Sequence, residues 1–309
     1  MNDFHEKLIR ARALSRKHLG GKITFFLPGM FRQNGQTGLY PAISITGGSC
    51  ELSCDHCGGK ILKSMIATPS PDILVERCLN LAEKGNLGVL LSGGCRADGT
   101  MPWHDFLPAI ETIKSKTGLF VSVHCGLVDE ATATALKNAG VDQALIDVIG
   151  DDRTFQSIYH VPFGVDRIDE AMAALEKAGL AMVPHIVCGI DNGNIHGEYK
   201  AVDMISRYDI SQLVIVSLMR INGTRMASAS PPAAEQVADI IAEARFKLPH
   251  IPISLGCARR RGDVRMEELA IEAGVNRMAL PSDEAVLMAQ AHHLDIEFQP
   301  TCCSVTISR

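Results

Sequence analysis

Three cysteines in one short loop, Cys50, Cys54 and Cys57, follow a C-x3-C-x2-C spacing within the run TGGSCELSCDHCGGK. Thiolates so spaced can each take one iron of a 4Fe-4S cubane, which leaves the fourth iron open to a chelating small molecule. The flanking glycines let the backbone curl around such a cluster. A structural zinc site is the alternative, with His56 or a distant residue as fourth ligand, although zinc loops usually pair C-x2-C units.

The chain has ten cysteines, and so many free thiols point to a reducing compartment, the cytoplasm, rather than to disulfides. Cys95, Cys125, Cys188 and Cys257 each follow an apolar run that reads as a strand, a placement at the face where barrel enzymes build their sites. Cys78, mid-helix in VERCL, reads as core filler. The adjacent Cys302 and Cys303 would oxidise readily on an exposed tail, so a tucked position or a ligand role is expected. His124, His185, His292 and His293 are acid–base candidates, though barrel-lining or solvated histidines are commoner. Arg259, Arg260, Arg261 and Arg265 could grip a carboxylate through paired N–H donors, or simply lie on a solvated loop.

The elements that must position these groups alternate. Short apolar runs at 42–46, 87–91, 119–124, 143–148, 182–187, 213–218, 251–255 and 277–280 are separated by helical periods. Several helices leave through the same phrase, KTGL, NAGV, KAGL and EAGV, each with a glycine suited to a helix C-terminus. Eight strands repeating every ~30–40 residues predict an α/β fold, a TIM-type (βα)8 barrel. A doubly wound sheet is the rival, but no Gly-rich fingerprint follows the first strand. Residues 1–40, an amphipathic helix plus an extended 23–26 segment, are expected to cap the barrel, and 41–309 to form it with a cysteine-containing tail. The hydrophobic content of 46% with only 5% aromatics suits a parallel sheet covered on both faces. A net charge of -5 with interspersed signs argues against nucleic acid, and no apolar run approaches a membrane span.

The cysteine loop, its place after the first strand and the barrel around it resemble the radical S-adenosylmethionine (SAM) superfamily. That resemblance implies a SAM-binding 4Fe-4S cluster on Cys50, Cys54 and Cys57, with His56 where relatives often carry an aromatic. It also implies SAM contacts from Gly93 and Gly94, with Cys95 in place of an acidic residue, from Asp147 to the ribose, and from Gly189 and Ile190 to adenine. The stretches LMRINGT, SLGCAR and AGVN resemble biotin synthase, which implies an auxiliary iron-sulfur cluster inside the barrel and places Arg259 at its arginine position. LGCAR with a terminal Cys-Cys resembles a component of the two-protein lipoyl synthase. The ligands then expected for the auxiliary cluster are Cys257, Cys302 and Cys303, joined by Cys95, with Cys125 and Cys188 in reserve. Partners implied are an octanoylated carrier protein or small acyl substrate, a second radical SAM component, and ferredoxin or flavodoxin as electron donor. Biotin synthase-type chemistry and a noncatalytic metal-binding barrel are the alternatives.

Overall fold

The computed structural model describes residues 3–33, 35–305 and 307. Parts of the expected extension (residues 1, 2 and 34) and tail (306, 308 and 309) lie outside the described residues. The strands are β1 (Lys22–Phe26), β2 (Arg32–Gln33), β3 (Gln36–Thr37), β4 (Ala42–Ser44), β5 (Ile66–Ala67), β6 (Gly88–Ser92) and β7 (Phe120–His124). They continue with β8 (Gln143–Asp147), β9 (Ala181–Cys188), β10 (Leu213–Ser217), β11 (Ile253–Leu255), β12 (Arg277–Ala279) and β13 (Asp295–Gln299). The helices are α1 (Asp3–Leu19), α2 (Pro71–Glu83), α3 (Trp103–Lys116), α4 (Glu130–Asn138) and α5 (Asp152–Tyr159). After them come α6 (Asp166–Lys177), α7 (Glu198–Ile205), α8 (Ala234–Lys247), α9 (Val264–Glu272) and α10 (Asp283–Ala291).

Local chemistry sets the helix starts. Ser70, Asp129, Asp151, Asp263 and Ser282 each accept a hydrogen bond from the backbone amide three residues on, satisfying an N-terminal donor. All eight expected strands form, and with β1, β5 and β13 they make one curled parallel sheet in the order β13-β1-β12-β11-β10-β9-β8-β7-β6-β4-β5. This is the α/β barrel of TIM type that the repeat predicts.

Residues 22–26 stand in the wall itself, paired with β12 and β13, rather than across an end. Helix α1 instead lies against α8 and α9. The sheet has a seam between β13 and the β4 side, crossed by a backbone hydrogen bond from the Leu39 amide to the Pro300 carbonyl at 2.6 Å.

Strand alternation divides the core in two. Val89, Val123, Ile146, Ile186, Ile215 and their neighbours face outward and pack under the helices. Phe26, Leu145, Val183, Val214, Val216 and Ala279 face the barrel axis. Past β13 the chain turns into that interior, where Thr301, Cys303, Ser304 and Val305 are buried. No helix among the described residues is long and apolar enough to cross a membrane.

Candidate metal-cluster site at the mouth of the barrel

The cysteine loop leaves β4 at the C-terminal end of the barrel and is docked at several points. The Glu51 amide donates to the Cys95 carbonyl (2.8 Å), and the Glu51 carboxylate accepts from the Ala97 amide (2.9 Å). The Asp55 amide donates to the Ile158 carbonyl, while its carboxylate meets His160 (2.6 Å) and Arg225 (2.7 Å). Gly94 is where the loop touches the turn after β6: a Cβ there would lie 2.0 Å from the Ser49 carbonyl oxygen and 2.5 Å from Cys50 Cβ. Its amide donates to Thr46 Oγ1 at 2.7 Å. Gly94 therefore holds the cysteine loop closed.

Cys54 is buried and Cys50 and Cys57 are half-buried. The Cys54 thiol donates toward Cys57, which together with His56 and the Gly59 amide outweighs burial and pulls the Cys57 thiol down, while Cys54 is pushed up. Cys95 adjoins this loop, and burial followed by Cys50 and Asp147 raises its thiol to about 12. The phenol of Tyr159 and Nδ1 of His56, both buried, have no hydrogen-bond partner, and the two rings are 5.2 Å apart. Tyr159 adjoins Cys54, Cys57, Cys95 and Asp147.

Unpartnered polar atoms beside three thiols fit a polar, sulfide-rich group in the loop. Among the described residues no three His, Cys, Asp or Glu side chains converge on one point as a single ion requires. Thiolates of a cubane each bind a different iron and need no such convergence.

Asp147, at the end of β8, pairs with His124 at 3.5 Å, and the His124 and His185 rings are 5.6 Å apart. The His124 and Asp147 side chains are 28% and 38% exposed at the mouth of the barrel. Burial would raise Asp147; the His124 charge and hydrogen bond, then His185 and His56, outweigh it and hold the carboxyl at about 2. Burial opposes the charged form of His124, but Asp147 raises it, whereas burial and His124 lower His185 to about 4. The mouth thus carries one fixed carboxylate beside two imidazoles whose titrations are driven apart, His124 upward and His185 downward.

Gly189 has φ +77°, and a Cβ there would lie 2.6 Å from the Pro232 ring. Its amide donates to buried Glu198, which also accepts from His196 and Gly197. Ile190 shares a small crevice with Asp147, His185 and Glu198.

The remaining thiols separate by strand parity. Cys125 and Cys188 lie in the outer core between strands and helices, with Cys78. Cys303 lies on the barrel axis with Cys257 packed against the same cluster. Cys257, Cys302 and Cys303 are near enough for each thiolate to disfavour another. The structure therefore brings three of the four auxiliary candidates together and leaves Cys95 with the first loop. Ser254 Oγ meets the Cys303 thiol, while Thr301 Oγ1, also buried, has no hydrogen-bond partner.

Arg259 acts on Cys257 by its charge and has a buried, unpartnered Nε, but its terminal nitrogens are committed to the surrounding loops. Fully buried, it bonds Glu267 (2.7 Å) and the carbonyls of Gly256 (2.6 Å) and Leu280 (3.1 Å), tying the β11 and β12 loops to α9. The arginine that does face the axis is Arg277, stacked 4.4 Å over Phe26. Sequence reasoning missed it, together with Tyr159 and Gln143, although strand parity places Arg277 and Gln143 inward.

No protein-family model matches the chain. It is 22% identical over 280 residues to the biotin synthase of Brucella ovis, covering 89% of this chain and 81% of that one. Among solved structures, methylornithine synthase superposes with a TM-score of 0.64 at 17% identity, covering 91% of this chain and 79% of that one. The FeFe-hydrogenase maturase HydG from Carboxydothermus hydrogenoformans gives 0.61 at 14% identity, with 91% and 65% covered.

Proposed function

We propose that this chain, which is biotin synthase-like and has the fold of its radical SAM neighbours, inserts sulfur into an aliphatic C–H bond. The observation that carries this reading is the second group of thiols, Cys257, Cys302 and Cys303, inside the barrel whose mouth bears Cys50, Cys54 and Cys57.

In this reading Cys50, Cys54 and Cys57 hold the 4Fe-4S cluster, and the interior thiols hold an auxiliary iron-sulfur cluster. When bound, the first cluster and SAM supply a 5′-deoxyadenosyl radical that removes hydrogen from an unactivated carbon, and the auxiliary cluster supplies sulfide. The protein's part is positioning. Gly93 and Gly94 form the turn after β6 against which SAM would be held, and Asp147, kept ionised by His124, would accept hydrogen bonds from ribose hydroxyls. Leu145, Val183, Val214 and Val216 pack with Cys303 inside the barrel and keep water from the interior thiols.

The substrate class best matched is an octanoyl chain on a carrier protein, with this chain as one component of a two-protein lipoyl synthase and ferredoxin or flavodoxin as electron donor. The similarity to biotin synthase favours a second reading, sulfur insertion into a small ring precursor. An octanoylated carrier peptide incubated with protein, reductant and SAM, followed by mass spectrometry, separates the two. Addition of sulfur to the peptide with 5′-deoxyadenosine formation supports the first. Radical formation with no thiolated peptide sinks it, and a colourless zinc-containing protein sinks both.

A further inference from the structure

The barrel interior at the N-terminal ends of the strands is filled by this chain's own tail. Residues 302–305 form a turn closed by the Val305 amide on the Cys302 carbonyl (3.2 Å). Inside a barrel such a turn has no strand to bond with, and a buried carbonyl left unpaired is unfavourable. Three strands supply the missing donors. Gln143 at the start of β8 donates to the Ser304 carbonyl (2.6 Å), and Gln212 just before β10 donates to the Cys303 carbonyl (2.7 Å). Arg277 at the start of β12 donates to the Cys303 carbonyl (3.0 Å) and to that of Val305.

These are unusual residues for that layer, where branched apolar side chains dominate. Gln143, Gln212 and Arg277 are all buried, and their long polar side chains would be unfavourable there without the tail. The layer is therefore complementary to the tail.

We propose that residues 301–305 are a cysteine-bearing plug inserted from below, and that Gln143, Gln212 and Arg277 are positioning residues that fix Cys302 and Cys303 opposite Cys257. This deepens the sulfur-insertion reading and rests on it where the auxiliary cluster is concerned. The two redox-active groups then enter the barrel from opposite ends: one on the loop after β4, the other on the tail.

The test uses the full-length chain under anaerobic reducing conditions, before and after reconstitution with iron and sulfide. Before reconstitution, N-ethylmaleimide labelling is followed at each cysteine by mass spectrometry. Cys302 and Cys303 are expected to label far more slowly than in the unfolded chain. In Q143A/Q212A, which loses two of the anchoring bonds, their labelling should accelerate about tenfold or more. Cys78 in α2 should keep its wild-type protection, which reports that the barrel remains folded; R277K gives a milder variant if the double one does not. After reconstitution the same variant should lose iron while the electron paramagnetic resonance signal of the first cluster persists.

Labelling of Cys302 and Cys303 that is fast in the wild type, or unchanged in Q143A/Q212A and R277K with Cys78 protected, overturns the plug. Faster labelling with no loss of iron overturns the positioning role. Protection at these sites in the wild type, with C302A/C303A retaining full iron, removes the auxiliary-cluster reading and leaves the plug standing.

Discussion

At the scale of single residues the mouth is governed by contacts that tolerate little change. A methyl group at Gly94 collides with backbone, which cannot rotate aside, so Gly94→Ala should displace the cysteine loop. The expected outcome is loss of the first cluster's iron on reconstitution and a stability loss of about 1–3 kcal/mol in denaturant melts. Arg259 behaves differently. Arg259→Met leaves the Glu267 carboxylate buried without its cation, which should destabilise the fold by about 3–5 kcal/mol in an equilibrium urea melt.

The imidazoles offer a pH test. Asp147 is depressed to about 2, so its contribution to stability is present above the ordinary carboxylate value of about 3.9 and fades as pH falls through that range. His124 is raised, so its contribution is present below the ordinary value of about 6.5 and fades as pH rises through its folded value. The pair is strongest between these limits. NMR titration should find His185 neutral down to about 4 and His124 still protonated above about 6.5. In Asp147→Asn the His124 value should drop below about 6.5, and an unmoved value would refute the pairing.

At the scale of elements, the eight strands were legible as short apolar runs, four of them following a helix that leaves through glycine. Residues 22–26 were legible as extended but not as wall, because local sequence does not say which sheet edge a segment joins. The same limit hid β13, whose DIEFQ lacks the apolar run of a strand covered on both faces; Phe298 there is 65% exposed. Among the thiols, the periodicity of β7 and β9 already separates them. Cys125 and Cys188 fall out of phase with inward-facing His124 and His185. The inward course of the tail was not legible, since its donors lie on β8 and β12 and just before β10. Phe26 joins these elements, packing in the interior beneath the Arg277 guanidinium. Phe26→Ala should cost about 3–5 kcal/mol in an equilibrium urea melt, and a cost under about 1 kcal/mol would show that β1 is not part of the wall.

At the scale of the whole molecule, strength is distributed unevenly around the sheet. β8, β9 and β10 each have a hydrogen-bonded neighbour on both sides, whereas β13 is paired on one side only. Hydrogen exchange should therefore be slowest in β8–β10 and fastest among the strands at β13 and β5. Equal protection across all of them would mean that the edges are joined.

That seam has a mechanical meaning. A cylinder joined along its length has one circumference, but one left open along a line is a split ring, whose bore follows whatever it grips. Here the object gripped is the turn of chain at 302–305, held at once by β8, β10's leading residue and β12. The N-terminal ends of β8 and β12 and the residue leading into β10, which do not neighbour one another in the sheet, are thereby tied together across the bore.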